Sequence, residues 1–106
     1  MQFNAASTRN FQPFDGAPGM HVCVMADHGD GGVSLLVKLE PGAKVPRHEH
    51  LGREENLILQ GKCDVGGTIA GPGDYVRMDT DDVHEVRAID ETIFFVVVNK
   101  GYKLAG

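Results

Sequence analysis

The chain has 106 residues, a formal net charge of −5 and an apolar fraction of 42%. This length supports one small packed core, and the apolar fraction is that of a folded domain rather than a disordered segment. Lys and Arg are scattered, which argues against a nucleic-acid or anionic-membrane surface. No apolar run approaches the roughly 20 residues of a membrane span. The polar first ten residues lack a signal-peptide core, so we expect a cytoplasmic protein.

Residues 1–19 form a less regular N-terminal arm ahead of the patterned part of the chain. The arm carries Phe3, Phe11 and Phe14 among polar residues. One interpretation is that one or two of these rings close an end of the core. The other is that the arm crosses onto a second subunit and forms a homodimer. The sequence leaves both open.

The remainder of the chain has the pattern of an all-β protein. Fourteen glycines and five prolines separate short runs of Val, Ile, Leu and Phe, and no window has a sustained helical period. Gly66-Gly67 predicts a two-residue hairpin, and residues 27–32 predict a wider polar reversal. Many short strands of this kind form either a sandwich or a barrel. The predicted strands are 21–26, 32–40, 45–50, 54–60, 62–65, 68–70, 74–78, 84–88 and 92–99.

Cys23 and Cys63 both lie in alternating apolar stretches. We expect two buried, reduced thiols, with a disulfide as the alternative.

A group of metal-binding residue types follows Gly42. His48 and His50 are two apart, so in a strand both imidazoles lie on one face. Leu51-Gly52-Arg53 permits a turn, after which Glu54 begins a returning strand. Two imidazoles and one carboxylate are ligands that borderline divalent metals prefer. His84 is the fourth candidate, because a closed barrel brings distant strands together.

These residues resemble the first motif of the cupin family. Gly42, five residues, His48-x-His50, three residues, Glu54, six residues and Gly61 match the motif at every position. The second motif matches in spacing at Gly73 and His84. Asp79, Asp81 and Ala88 stand where proline, glycine and asparagine are usual. The resemblance implies one cupin domain over residues 1–106, a double-stranded β-helix or jelly-roll barrel. It also implies metal ligation by His48, His50, Glu54 and His84.

A narrower resemblance is to the ChrR-type subgroup of cupins. It rests on Phe11-Gln-Pro-Phe14, Pro18-Gly19-Met20, Pro41-Gly42-Ala43 and the spacing from His48 to Glu55. That subgroup includes zinc-binding anti-sigma factors and small dioxygenase-like cupins. Anti-sigma proteins of this kind carry an additional helical zinc domain for which this sequence has no room, so their function is not expected here.

Several neighbouring residues have roles that the sequence leaves open. Glu55 competes with Glu54 as the carboxylate ligand, although spacing and alternation favour Glu54. Asn56 and Gln60 share the face of Glu54 in a regular strand, and Asn56 either lines the cavity or caps a local backbone group. The turn with Asp79, Asp81 and Asp82 is expected to be solvated. His21 and His28 are expected to lie outside the site.

The expected function is that of a metal-dependent cupin enzyme. Three histidines and one glutamate leave open positions on an octahedral ion, which is typical of a catalytic or sensing site. The resemblance favours a dioxygenase-like oxidoreductase with Fe(II), acting on a small dicarbonyl, phenolic or hydroxyketone substrate, and an isomerase is possible. Zn, Ni, Mn or Co are alternative metals. The alternative functions are a non-catalytic metallo-cupin that binds or senses a small ligand, and a structural cupin with vestigial ligands. The N-terminal arm and family habit favour a homodimer.

Overall fold

The computed structural model describes the backbone of residues 1–50, 52–100 and 102–104, and the side chains of residues 1–47 and 52–100. All nine predicted strands are present in the described residues. The described helical structure is one 3-10 turn, Ala6–Thr8, and no described helix is long and apolar enough to cross a membrane. The strands are β1 (Gln12–Pro13), β2 (Met20–Gly29), β3 (Gly32–Leu39), β4 (Lys44–His50), β5 (Glu54–Gln60), β6 (Cys63–Val65), β7 (Thr68–Ala70), β8 (Tyr75–Met78), β9 (Val83–Ala88), β10 (Thr92–Val98) and β11 (Tyr102–Leu104).

The strands form two antiparallel sheets. Six strands lie in the order β1-β2-β3-β10-β5-β8, and five lie in the order β11-β4-β9-β6-β7. From β3 onward the chain changes sheet at every connection except the β6–β7 hairpin. Strands that alternate between two packed sheets in this way form a jelly-roll barrel.

The core lies between the sheets and follows the two-residue period of the strands. In β10, Thr92, Phe94, Val96 and Val98 are buried, while the alternate residues are only partly buried. Met20, Val37, Leu39, Ile58, Met78 and Val86 join this cluster from both sheets. Each fully buried side chain of this size contributes about 1.5–3 kcal/mol, so the alternation specifies which face of each strand turns inward.

The two predicted reversals are both tight hairpins. Val65 pairs with Thr68 across Gly66-Gly67, as predicted, and both glycines have positive φ. Gly29 pairs with Gly32, so residues 27–32 also contain a two-residue turn, narrower than predicted. Asp30 adopts φ 51° there, which Asp tolerates better than most residues and which a primed hairpin turn requires.

The N-terminal arm packs on its own chain. The amides of Gln2 and Asn4 donate to the backbone oxygen of Met25, and the Lys38 ammonium lies 5.4 Å from the Phe11 ring centroid. Phe14 packs against the core, whereas Phe3 is exposed. The prediction that a phenylalanine of the arm closes the core is therefore confirmed for Phe14. An arm exchanged between subunits stays a prediction.

Both cysteines are buried free thiols, as predicted, and the disulfide alternative is wrong. Burial raises the pKa of the Cys63 thiol, and the nearby negative charges of Asp64 and Asp74 raise it further.

Candidate metal centre

The backbone brings His48 of β4 opposite His84 of β9. These two residues are Cα partners in the antiparallel ladder. Side chains of directly opposed residues lie on the same face of an antiparallel pair. His50 continues β4 and pairs with Tyr102 of β11. The side chains of His48 and His50 lie outside the described residues, so their role as ligands stays a prediction.

A β-bulge sets this register. Val45 pairs with Val86, and the register then shifts before His48 reaches His84. With no shift, Arg47 would stand opposite His84. Pro46 lies within the bulge and has no N–H to donate to a ladder, which explains why the irregularity occurs there. The bulge therefore makes His48, rather than Arg47, the ladder partner of His84.

The two candidate carboxylate ligands, Glu54 and Glu55, lie on opposite faces of β5. Glu54 is 8% exposed and lines the cavity inside the barrel. Glu55 lies on the other side of β5 and accepts a 2.7 Å hydrogen bond from the Tyr75 hydroxyl. That hydrogen bond to a carboxylate raises the pKa of Tyr75. Glu54 is therefore the member of this pair that can take part in chemistry inside the barrel.

Asn56 supports Glu54 from the same face of β5. Its amide nitrogen lies 3.3 Å from Glu54 Oε2 and 3.3 Å from the backbone oxygen of Val76, and the residue is 6% exposed. Asn56 therefore lines the cavity, the first of its two predicted roles, and its backbone partner is the cross-strand Val76 rather than a local group. Gln60 does not share this face, because a register shift in the β5–β10 pairing leaves it exposed, with its amide on Glu91.

The His84 ring lies at the Gly66 hairpin and next to an acidic turn. His84 Nε2 is 3.6 Å from Asp82 Oδ1, and a Cβ added at Gly66 would stand 2.9 Å from His84 Nδ1. His84 is not among the described residues that line the cavity. Asp82 also accepts a 2.7 Å hydrogen bond from the backbone N–H of Asp79. Asp82 therefore contacts one of the predicted ligands, a contact that the expectation of a solvated turn did not include.

The acidic turn is exposed, as expected, but it is not simply solvated. The Asp79 carboxylate lies 3.8 Å from Arg53 Nε and 3.5 Å from Arg77 Nη2. These pairs join the start of β5, the end of β8 and the turn. In doing so they connect the turn before His84 to the loop before Glu54.

The inside of the barrel contains a cavity of about 270 Å³. Its described wall is apolar except for Glu54 and Asn56. Half of the described lining residues are valines, and Phe14, Met20, Met78 and Phe94 are among the others. An apolar cavity with a few convergent polar groups is typical of a small-molecule site.

Among the described donors, Glu54 has surroundings that favour a bound cation. A carboxylate at an apolar wall is costly unless a cation or hydrogen bonds compensate its charge. Glu54 has that position, and the strands place two of the predicted histidines side by side. Among the side chains that the structure describes, no three His, Cys, Asp or Glu residues cluster as a metal site. Two of the four predicted ligands lie outside that set.

Comparisons with known proteins agree with this fold. Over its whole length the chain is similar to an acetylacetone dioxygenase from Acinetobacter johnsonii, with a TM-score of 0.89, 16% identity and 78% of that chain covered. It is also similar to the anti-sigma factor ChrR, solved in complex with SigE of Rhodobacter sphaeroides. That match has a TM-score of 0.77 and 23% identity, and covers 90% of this chain and 51% of the other. These likenesses confirm the cupin fold.

A curated relative is the DNA damage-repair/toleration protein DRT102 of Arabidopsis thaliana, 27% identical over 97 residues. The match covers 86% of this chain but spans only 30% of that relative. The sequence profile of the ChrR cupin-like domain matches residues 2–103, nearly the full length. The chain therefore belongs to the ChrR cupin-like domain family.

Proposed function

We propose that this protein is a metal-dependent cupin enzyme of dioxygenase type that acts on a small dicarbonyl, phenolic or hydroxyketone substrate. The proposed metal ligands are His48, His50, Glu54 and His84. The observation that carries the proposal is the buried Glu54 carboxylate in a cavity of about 270 Å³ whose described wall is apolar except for Glu54 and Asn56. Substrate and metal can meet in such a cavity with little water present.

The residues of the chain have distinct parts in this proposal. The Asn56 amide donates to Glu54 Oε2 and thereby limits how the carboxylate turns. The Asp82 carboxylate lies 3.6 Å from His84 Nε2 and favours one orientation of that ring. Orienting partners of this kind fix the geometry of ligand side chains. When bound, Fe(II) would supply adjacent positions for substrate oxygens and dioxygen, and would lower the pKa of a bound enol.

Other metals are compatible with the same donors. Three imidazoles and a carboxylate also accept Zn, Ni, Mn or Co, and availability often decides which is bound. We propose Fe(II) for the active protein, because imidazole and carboxylate donors with open positions are typical of non-haem Fe(II) oxygenases. The structural likeness to an acetylacetone dioxygenase supports a dicarbonyl substrate.

The alternative is a metallo-cupin that binds or senses a small ligand without turnover. The observation in its favour is the family itself, because ChrR was solved bound to SigE. The cavity and donor set would be the same, so the two functions differ in turnover rather than in architecture.

Oxygen consumption distinguishes the two. Protein loaded anaerobically with Fe(II) is mixed with acetylacetone, a catechol or a hydroxyketone, and dissolved oxygen is followed with an electrode. The proposal expects one oxygen molecule consumed per substrate lost, with no added reductant, since a dioxygenase places both oxygen atoms in the products. Glu55→Gln should retain this activity and Glu54→Gln should lose it. Stable metal and ligand binding without oxygen consumption would favour the sensor.

A homodimer is part of the proposal. Leu57 and Tyr75 are paired on the outer face of β5 and β8, and both are exposed, as is Leu59. Exposed apolar groups that lie together often mark a protein interface. Sedimentation equilibrium should give twice the chain mass for the wild type and the chain mass for Leu57→Glu.

A further inference from the structure

We infer that the cavity takes an uncharged amphiphile larger than acetylacetone, with its oxygen-bearing end at Glu54 and Asn56 and an aliphatic or aromatic body along the valine wall. This inference rests on the proposed function for its metal-facing end. The cavity alone determines the body of the ligand.

The wall determines the chemistry of the ligand body. Val22, Val33, Val37, Val45, Val86 and Val96 line the cavity. No Lys, Arg or His is among the lining residues that the structure describes. A phosphate or carboxylate at the far end of a ligand would therefore lose its water with no counter-charge in the described wall, which is strongly unfavourable.

The polar end of the ligand is determined by the only polar lining residues among those described. Asn56 and Glu54 lie within hydrogen-bonding range of each other on one face of β5. A ligand with an enol or hydroxyl O–H beside a second oxygen at one end, and hydrocarbon elsewhere, matches this distribution, because the Glu54 carboxylate accepts hydrogen bonds. A ligand with polar groups at both ends does not.

The volume determines the size of the ligand. A protein cavity of about 150 Å³ lined by apolar residues holds a benzene ring. The cavity here is about 270 Å³. By proportion it holds about ten to twelve non-hydrogen atoms, whereas acetylacetone has about seven. Acetylacetone would leave much of the wall without contacts.

Val24 gives the route of access. It lines the cavity and is 59% exposed, so the cavity opens to solvent beside it. A large side chain at this exposed position should narrow the opening with little effect on folding. Ile69 is a matched control, because it is 55% exposed and is not among the described lining residues.

Calorimetric titration of Zn(II)-loaded and metal-free protein with three diketones tests the inference. The probes are acetylacetone, 8-methylnonane-2,4-dione and 5,7-dioxooctanoate. The second and third have the same number of non-hydrogen atoms, and the carboxylate of the third replaces the isopropyl end of the second. Since each added methylene changes affinity about fourfold when fully buried, the methylnonanedione should bind at least about tenfold more tightly than acetylacetone. The dioxooctanoate should bind at least about tenfold more weakly than its neutral match, because its charge is desolvated.

The variants test the location of the ligand. Val24→Trp should weaken binding of the methylnonanedione about tenfold, as expected for overpacking in an apolar site, and Ile69→Trp should leave it unchanged. Equal or tighter binding of acetylacetone, equal binding of the charged ligand, or wild-type binding by Val24→Trp would each overturn the inference.

The ligand class and the proposed function can fail independently of each other. If the predicted order holds in metal-free protein while no oxygen is consumed with Fe(II), the ligand class stands and the dioxygenase proposal falls. If oxygen is consumed but the order is reversed, the proposed function stands and the ligand class falls.

Discussion

Replacing Glu54 by Gln changes the charge of one proposed ligand and little else. The amide has almost the same shape, and its oxygen can still accept the hydrogen bond from Asn56. The control is Glu55→Gln, one residue along the same strand, whose carboxylate points away from the cavity to the Tyr75 hydroxyl. A difference between the two variants therefore reports on the inner face of β5.

The expected change in thermal stability follows from the coupling between metal binding and folding. At a metal concentration 100-fold above its Kd, the wild-type protein gains about 2.7 kcal/mol of stability. For a domain of this size, each kcal/mol raises Tm by about 4–8 °C, so the expected rise is about 11–21 °C. Loss of a group that merely supports a ligand lowers metal affinity about 10–100-fold, so loss of a ligand charge should lower it at least about 100-fold. The same metal concentration then stabilises Glu54→Gln by about 0.4 kcal/mol, or about 2–3 °C.

The assay is thermal unfolding of each protein with and without Zn(II), with every shift referred to that protein's own metal-free Tm. Metal retained after gel filtration is measured in parallel by mass spectrometry. Glu55→Gln should behave as wild type in both measurements. If Glu54→Gln keeps stoichiometric metal and the full wild-type shift, Glu54 is not a ligand.

Three further predictions concern neighbouring groups. Asn56→Ala removes the amide that donates to a buried carboxylate and to a backbone oxygen. The free energy of unfolding measured in urea should therefore fall by about 2–4 kcal/mol. A decrease below about 0.5 kcal/mol would contradict these hydrogen bonds. Because burial raises the pKa of Cys63, this thiol should react slowly with Ellman's reagent in the native state of a chain lacking the other cysteine, and rapidly in urea; equal rates would refute the assigned burial. The Tyr75 phenol should ionise above its ordinary pKa of 10.0 because it donates to Glu55, and Glu55→Gln should lower the midpoint of its ultraviolet titration in a chain lacking the other tyrosine. An unchanged midpoint would show that this hydrogen bond is not formed in solution.

Much of the fold could be predicted because strand alternation is written directly in the sequence. The nine predicted strands lie between glycines and prolines, and their apolar faces pack inward as in β10. The strands β1 and β11 were missed, since two or three residues carry no measurable period. The turn at Asp30 was expected to be wider, because the residues on either side of it are polar and gave no sign that β2 and β3 pair as far as Gly29 and Gly32.

The candidate site was harder to predict where the ladder is irregular. Glu54 could be distinguished from Glu55 by alternation, because β5 is regular at that point. Gln60 could not be placed, because a register shift near the end of β5 interrupts the alternation and leaves both Leu59 and Gln60 exposed. Similarly, nothing but Pro46 indicates the bulge that brings His48 rather than Arg47 opposite His84. The register between strands distant in sequence determines where these residues lie, and the pattern of one sequence does not reveal that register.

The most direct test of the account is a crystal structure of Fe(II)-loaded protein with anomalous diffraction recorded at the iron edge. We expect one anomalous peak per chain, about 2.0–2.3 Å from one nitrogen each of His48, His50 and His84 and from a Glu54 oxygen, with an open position facing the cavity. An anomalous peak elsewhere, or a fully loaded crystal with the ion bound by fewer than three of these side chains, would contradict it.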